Sequence, residues 1–190
     1  MSTPDLAAAR ETLLAELREH ALVIGDVTLS SGQRASYYVD ARRAIMRPAG
    51  FRAAGRLIAA AAKEVGAAAV GGPVMAAIPL ACAAIAVPEG DELVGFFVRK
   101  ERKEHGLQRW VEGPVEPGTS CLVVEDTVTT GGSTVAAIER IREEGLDIQG
   151  ALCLVDRLAG GADAIADAAG APFQALVTID EIYPDRPDRS

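Results

Sequence analysis

An apolar run that ends in two adjacent acids and leads into a loop rich in glycine and hydroxyl groups most constrains the fold. Residues 121–134 read CLVVEDTVTTGGST. The apolar run is typical of a strand buried on both faces of a parallel sheet, and such sheets bind ligands at the carboxyl ends of their strands. The loop leads directly into a predicted helix, whose first N–H groups are unpaired donors suited to a phosphate. The segment therefore predicts an α/β protein with a phosphate-binding loop.

Predicted helices and strands alternate along the rest of the chain, which favours one α/β domain around a mostly parallel sheet. Helices are predicted at residues 4–22, 48–66, 133–144 and 160–169. Strands are predicted at residues 67–71, 92–98, 120–125, 148–155 and 173–179, and a hairpin at residues 27–40. The Pro-, Asp- and Arg-rich tail at residues 183–190 is expected to fray.

Composition excludes several classes of protein. A chain of 190 residues with 49% hydrophobic residues is too apolar to be disordered, and its net charge of −8 does not favour nucleic acid as a partner. The N-terminus has no signal-peptide pattern, and charges, glycines and a proline interrupt the Ala-rich stretch at residues 53–86, so no membrane partner is expected. Cys82, Cys121 and Cys153 are interpreted as buried free thiols of a cytoplasmic protein.

Positive charge is concentrated in one segment. Residues 99–109 contain five Lys or Arg against two Glu, a net charge of +3, so the remainder carries −11. A charged run is more often only a solvated surface. A ligand with several phosphates, however, requires clustered cations, and this segment is the only cluster in the sequence.

The phosphate loop matches neither of two common nucleotide motifs, since no Lys follows Gly131 and Gly132 and no GxGxxG follows a strand. The acidic pair followed by TxTTGGS instead resembles the phosphoribosyl pyrophosphate (PRPP) signature of type I phosphoribosyltransferases. The resemblance implies that the two acids bind the ribose hydroxyls and that the loop and helix N-terminus bind the 5-phosphate. The implied PRPP-binding residues are Arg99, Lys100, Lys103, His105, Glu125, Asp126, Thr127, Val128, Thr129, Thr130, Gly131, Gly132 and Ser133.

A narrower resemblance, to orotate phosphoribosyltransferases, rests on three segments. Residues 99–106 read RKERKEHG, residues 27–40 read VTLSSGQRASYYVD, and residues 156–157 read DR. The resemblance implies that Lys103, Arg99 and His105 are catalytic, and that orotate contacts Thr129, Arg157 and Tyr38. It also implies Mg²⁺ as cofactor, without metal ligands from the protein, and a homodimer whose basic loop enters the neighbouring active site.

The family resemblance implies the type I phosphoribosyltransferase fold, with a small hood formed by about residues 1–45 over the core. The implied activity is Mg²⁺-dependent transfer of ribose 5-phosphate from PRPP to orotate. Alternatives are a purine or uracil phosphoribosyltransferase, and a non-enzymatic PRPP-sensing regulator with the same fold. Two departures from the family pattern are Ser30, where some relatives have lysine, and the apolar residues 74–78, whose backbone N–H groups are expected to bind pyrophosphate.

Overall fold

A mostly parallel sheet forms the centre of the fold in the computed structural model, which describes residues 3–28, 34–101 and 109–189. The strand order is β5-β4-β3-β6-β7-β8, and only β5 is antiparallel to its neighbour. The strands are β3 (Ala69–Pro73), β4 (Val94–Val98), β5 (Val111–Glu112), β6 (Ser120–Val128), β7 (Asp147–Asp156) and β8 (Phe173–Thr178). The predicted α/β class with a mostly parallel sheet is confirmed.

Helices lie on both faces of this sheet. They are α1 (Thr3–Glu16), α2 (Arg42–Ile45), α3 (Pro48–Glu64), α4 (Ala77–Ile85), α5 (Gly132–Glu143), α6 (Gly161–Ala169) and α7 (Ile179–Ile182), with a π-helical turn at Leu17–Ala21 and a 3-10 turn at Pro88–Gly90. Helix α4 was not predicted, because its sequence AIPLACAAI has no polar face and contains a proline. No helix in the described ranges is long and apolar enough to span a membrane.

The N-terminal hairpin forms a separate two-stranded antiparallel sheet. Strand β1 (Leu22–Thr28) pairs with β2 (Arg34–Val39), so the hairpin is confirmed, with longer strands than predicted. The connection at residues 29–33, which includes Ser30, lies outside the described residues. The boundary of the hood near residue 45 stays a prediction.

The two faces of the central sheet belong to two buried clusters. Along β6, Leu122 and Val124 join the cluster that contains α1, α3 and α4, while Cys121 and Val123 join the cluster that contains α5 and α6. Every side chain of this run is therefore buried, which explains why the sequence is continuously apolar rather than alternating.

Two local predictions from the sequence are wrong. Cys121 and Cys153 are buried free thiols as predicted, but Cys82 is exposed because it lies on the outer side of α4. The C-terminal segment, residues 183–189, is not frayed: Arg186 Nε lies 2.7 Å from Asp180 Oδ1. Both predictions failed because contacts with residues outside the segment determine which of its side chains are buried or held in ion pairs.

Candidate active site

The site lies between β3 and β6, where the order in which the chain adds strands to the sheet reverses. Strands β3 and β6 are neighbours, but the chain continues from β3 to β4 on one side and from β6 to β7 on the other. In open α/β sheets, ligands bind in the crevice at the carboxyl ends of two such strands. The acid pair lies near the carboxyl end of β6, and β3 is followed by residues 74–76, where the Val74–Met75 peptide bond is cis.

The acid pair is fixed by short-range hydrogen bonds. Glu125 is only 4% exposed, and its Oε2 accepts hydrogen bonds from Ser133 Oγ (3.3 Å) and Thr134 Oγ1 (3.1 Å) in the first turn of α5. The backbone N–H of Thr127 donates to Asp126 Oδ1 at 2.6 Å. The carboxylate of Glu125 thus ties the end of β6 to the start of α5, and with it the loop between them.

Burial shifts the ionisation of both acids. It raises the pKa of Glu125 to about 7, and the neighbouring charge of Asp126 acts in the same direction. Burial also raises the pKa of Asp126 above its ordinary value. Each carboxylate is therefore better satisfied by a ligand that donates hydrogen bonds than by its surroundings alone.

Replacing Glu125 by glutamine is expected to weaken the pH dependence of stability. The folded-state pKa of about 7 exceeds the ordinary value of 4.5, so the folded protein keeps a proton that the unfolded chain releases. The contribution of Glu125 to the free energy of unfolding therefore falls as the pH rises between these values. Glutamine mimics the protonated carboxyl, so the Tm of ligand-free wild type should fall by a few degrees relative to E125Q from about pH 5 to about pH 8. A constant difference in Tm would contradict the raised pKa.

The loop between β6 and α5 surrounds a small cavity. Residues 127–134 line a volume of about 170 Å³, and the side chains of Thr129, Thr130 and Ser133 are exposed. Gly131 precedes α5 with φ +78°, a left-handed conformation that glycine adopts without strain. The geometry brings hydroxyl groups and the N-terminus of a helix to one point, which suits a phosphate group.

Helix α6 supports this loop from behind. The backbone N–H of Gly161 donates to Thr129 O at 3.1 Å, and that of Arg157 donates to Val128 O at 2.9 Å. A Cβ atom on Gly161 would lie 2.7 Å from Thr129 O and 2.8 Å from Gly131 N. Glycine at this position therefore allows α6 to approach the loop closely.

Two residues that follow the N-terminal hairpin and were not predicted also lie near the acid pair. Arg42 Nε donates to Asp40 Oδ1 at 2.7 Å. The pKa of Arg42 is raised mainly by this hydrogen bond and the charge of Asp40, with smaller contributions from Tyr38 and Asp126. Tyr38, predicted to contact orotate, thus shares this neighbourhood with Asp126. The position of Asp40 and Arg42 directly after the YYV strand was the only sequence signal for them.

Arg157 follows β7, and its hydrogen-bond partner is Tyr37, which was not among the predicted site residues. Arg157 Nη2 donates to the Tyr37 hydroxyl at 3.0 Å, and the guanidinium lies 5.0 Å from the centroid of the ring. The Nε of Arg157 is buried and has no hydrogen-bond partner among the described residues. A donor in this state is suited to an anionic ligand.

The ends of the basic segment are attached to α5. The N–H of Arg99 donates to Trp110 O at 2.9 Å, and Arg140 Nη1 donates to Arg99 O at 2.9 Å. The guanidinium of Arg140 lies 4.3 Å from the centroid of the Trp110 ring, whose Nε1 donates to Glu143 at 2.9 Å. Arg99 is thereby fixed beside the helix that begins at the phosphate loop.

Two of the predicted cations are described and the others are not. Arg99 is half-buried and Lys100 is exposed at the carboxyl end of β4. Lys103 and His105 lie outside the described residues, so their predicted roles rest on the sequence alone. Within the described ranges, no group of three or more His, Cys, Asp or Glu side chains is arranged to hold a metal ion.

The sequence is similar to curated enzymes over most of its length, although no family model matches it. It is 43% identical over 175 residues to the orotate phosphoribosyltransferase of Rhodopirellula baltica, covering 88% of this chain and 90% of that protein. It is also 43% identical over 183 residues to the orotate phosphoribosyltransferase of Corynebacterium glutamicum, covering 96% and 98%.

Solved structures agree with the sequence comparison. The orotate phosphoribosyltransferase of Mycobacterium tuberculosis in complex with Fe(III) dicitrate superposes with a TM-score of 0.83 at 37% identity, covering 92% of this chain and 99% of that chain. The same enzyme in complex with PRPP gives a TM-score of 0.78 at 33% identity, covering 92% and 98%. An adenine phosphoribosyltransferase from Leishmania donovani shares the fold at 12% identity, with a TM-score of 0.65 and coverage of 94% and 86%.

Proposed function

The chain belongs to the orotate phosphoribosyltransferase family, and we propose that it transfers ribose 5-phosphate from PRPP to orotate. The products are orotidine 5-phosphate and pyrophosphate, so the enzyme acts in pyrimidine biosynthesis. The observation that carries the proposal is the arrangement at the carboxyl edge of the sheet. There the phosphate-sized cavity at residues 127–134 adjoins the buried Glu125 and the partly buried Asp126, and Arg157 has a buried Nε with no hydrogen-bond partner in the part of the chain that the structure describes.

PRPP is held at its sugar and at its 5-phosphate. Glu125 and Asp126 accept hydrogen bonds from the ribose hydroxyls, which satisfies carboxylates that burial otherwise disfavours. The residues proposed to surround the 5-phosphate all line the cavity between the end of β6 and the start of α5; they are Thr127, Val128, Thr129, Thr130, Gly131, Gly132 and Ser133. Their donors are oriented by the fold before the ligand arrives, which limits the entropy lost on binding.

The chemical step requires no protein nucleophile. As the bond to pyrophosphate breaks, positive charge develops on the ribose ring and negative charge on the leaving group. Arg99 and Lys100, with Lys103 and His105 from the segment that is not described, supply the positive charge and the donors that stabilise pyrophosphate. The contacts of Arg99 with Arg140 and Trp110 fix the backbone at the first residue of the basic segment.

Mg²⁺ is the proposed cofactor. Mg²⁺ is usually held by one or two carboxylates together with the phosphates of a substrate. The described residues fit an ion that arrives with PRPP, because Glu125 and Asp126 place two negatively charged carboxylates beside the proposed position of the ribose. PRPP oxygens would provide most of the coordination of the ion. Asp126 is the more exposed of the two acids. When bound, the ion supplies further neutralisation of the leaving pyrophosphate.

Orotate is recognised through its carboxylate. The planar guanidinium of Arg157 suits a planar carboxylate, and its Nε is available for that contact. Thr129, exposed in the loop, and Tyr38, on the hood strand β2, are the other proposed contacts of the base. Uracil lacks the carboxylate, so the contact with Arg157 favours orotate over uracil.

The activity is tested with PRPP, Mg²⁺ and one base at a time. Loss of the orotate absorbance should accompany release of pyrophosphate, whereas adenine, hypoxanthine and uracil should give little product. Transfer to another base without consumption of orotate would overturn the proposal in favour of a purine or uracil enzyme. Binding of PRPP without turnover of any base would instead favour a regulator.

We also propose a cytoplasmic homodimer with shared active sites. The resemblance of residues 99–106 to the loop that enters the neighbouring subunit supports the dimer, and the buried free thiols of Cys121 and Cys153 are typical of a reducing compartment. Cell fractionation tests the location.

Mixing two inactive variants tests the shared site. When Lys103→Ala and Arg157→Met homodimers are dissociated and reassociated together, half of the dimers should be mixed, and each mixed dimer should contain one intact site. Activity should recover to about a quarter of that of wild type. Recovery is not expected if each subunit completes its own site.

A further inference from the structure

One phenol connects the base-binding arginine to the C-terminal segment, residues 183–189. The hydroxyl of Tyr37 accepts a hydrogen bond from Arg157 Nη2 and donates one to Asp188 Oδ2, both at 3.0 Å. Tyr37 is 3% exposed, so its ring has little freedom to turn. Because a hydroxyl has a single hydrogen, donation to Asp188 leaves its lone pairs directed to Arg157.

The C-terminal segment is itself fixed at this position. Arg186 is 10% exposed and forms ion pairs with Asp180 Oδ1 (2.7 Å) and Asp188 Oδ1 (2.9 Å). The ring of Tyr183 packs edge-on against Tyr37, with 5.4 Å between centroids. Asp188 is therefore placed by contacts of its own segment before it accepts the hydrogen bond from Tyr37.

Asp188 stays ionised in this environment. Asp188 is exposed: slight desolvation opposes its ionisation, but the hydrogen bonds from Arg186 and Tyr37 outweigh it and hold the pKa of Asp188 below its ordinary value. An anionic acceptor strengthens the hydrogen bond from Tyr37 and makes the phenol oxygen a better acceptor for Arg157. The phenol of Tyr37 therefore lies between a positively charged guanidinium and a negatively charged carboxylate, an arrangement that favours both hydrogen bonds.

Two nitrogens of the Arg157 guanidinium differ in their hydrogen bonding. Nη2 is occupied by Tyr37, whereas Nε is buried without a hydrogen-bond partner among the described residues. Fixing Nη2 limits rotation of the planar group and so determines where Nε points. An arginine held in this way loses less entropy when it binds a carboxylate than a free one.

We propose that Asp188 is a positioning residue which, through Tyr37, orients Arg157 for the carboxylate of the base. The C-terminal segment is then part of the base-binding site although it does not touch the substrate. This inference rests on the proposed function, in which Arg157 binds the carboxylate of orotate. It assigns a role to a segment whose sequence is otherwise typical of a solvated tail.

The experiment compares two acids of the same segment. Asp188→Asn removes the charge from the acceptor of the Tyr37 hydroxyl but keeps the size of the side chain, and Asp185→Asn makes the same change at another exposed position of the segment. D188N is expected to raise the KM for orotate about fivefold, the scale of one hydrogen bond. The kcat and the KM for PRPP should stay unchanged, and D185N should behave as wild type in all three.

A second pair of variants separates positioning from a structural effect. In a Tyr37→Phe background the link to Arg157 is absent, so D188N should have no further effect on the KM for orotate. Asp188→Glu, which restores a carboxylate, should recover part of the loss. Equal effects of D188N with and without the Tyr37 hydroxyl, or equal KM values for D188N and D185N, would overturn the proposal.

Failure of the inference can be told apart from failure of the proposed function. If wild type transfers ribose 5-phosphate to orotate but D188N matches D185N, only the role of Asp188 is wrong. If wild type does not use orotate, both fail. Calorimetric binding of orotidine 5-phosphate gives a readout independent of turnover, and D188N should weaken it by the same factor as it raises the KM for orotate.

Discussion

Arg157→Met is expected to lower kcat/KM for orotate by about 100-fold or more, mainly through KM. Methionine keeps an unbranched side chain of similar length but removes every donor, so the carboxylate of the base would be buried without a partner. Loss of a charged hydrogen bond with an unpaired group left behind is worth this factor or more. Initial rates at saturating PRPP measure the effect, and the KM for PRPP should change little.

The matched control for this variant is Arg142→Met. Like Arg157, Arg142 donates a hydrogen bond from Nη2, here to Ala169 O at 2.8 Å, but it lies near the end of α5 away from the carboxyl edge. Arg142→Met should lower stability without changing the KM for orotate. Arg157→Lys should recover only part of the activity, because an ammonium does not offer the same planar pair of donors. Normal orotate kinetics in R157M would remove Arg157 from the site.

Gly131→Ala is expected to lower kcat/KM for PRPP by about 100-fold, the effect of displacing binding groups by about 1 Å. Gly131 has φ +78°, and a Cβ atom there would lie 2.9 Å from Gly161 O and 3.0 Å from Ile165 Cγ1. Because α6 is packed behind the loop, the loop must shift. The shift would displace the hydroxyl and N–H donors that surround the 5-phosphate.

Gly118→Ala is the control that shows the effect of backbone strain without displacement of the phosphate loop. Gly118 also has a positive φ, +87°, but no atom of the described residues lies within 4 Å of a Cβ atom there. Both variants should lose about 1–2 kcal/mol of stability for a left-handed alanine, and G131A should lose more because its Cβ atom also collides with Gly161 O. Only G131A should lose affinity for PRPP, measured by titration and by steady-state kinetics. Equal PRPP kinetics in the two variants would contradict the role assigned to the loop.

The sheet and the phosphate loop could be predicted because their signals are local. Residues 121–134 contain a buried strand, two acids, a turn and a helix start in one continuous segment. Backbone geometry then brings Glu125 to Ser133 and Thr134 without help from distant parts of the chain. Predicted bounds of strands and helices were close for the same reason, since periodicity and glycine positions act over a few residues.

Helix α4 and Cys82 show where local signals are insufficient. The segment at residues 77–85 is apolar throughout, so no pattern indicates which of its sides faces the core. The tertiary structure covers Ala81 and Ala84 and leaves Cys82 exposed. Burial of such a segment is decided by which neighbour lies against it, and that neighbour is distant in sequence.

The sequence alone determined the class of fold, the phosphate loop with Glu125 and Asp126, and the cluster of positive charge at residues 99–109. Only the tertiary structure decided how Arg157 is held, because its hydrogen bond to Tyr37 joins residues 120 positions apart. The bond from Tyr37 to Asp188 joins residues 151 positions apart. Contacts over such separations depend on how the hairpin, β7 and the C-terminus pack together, and no local pattern of residues encodes that packing.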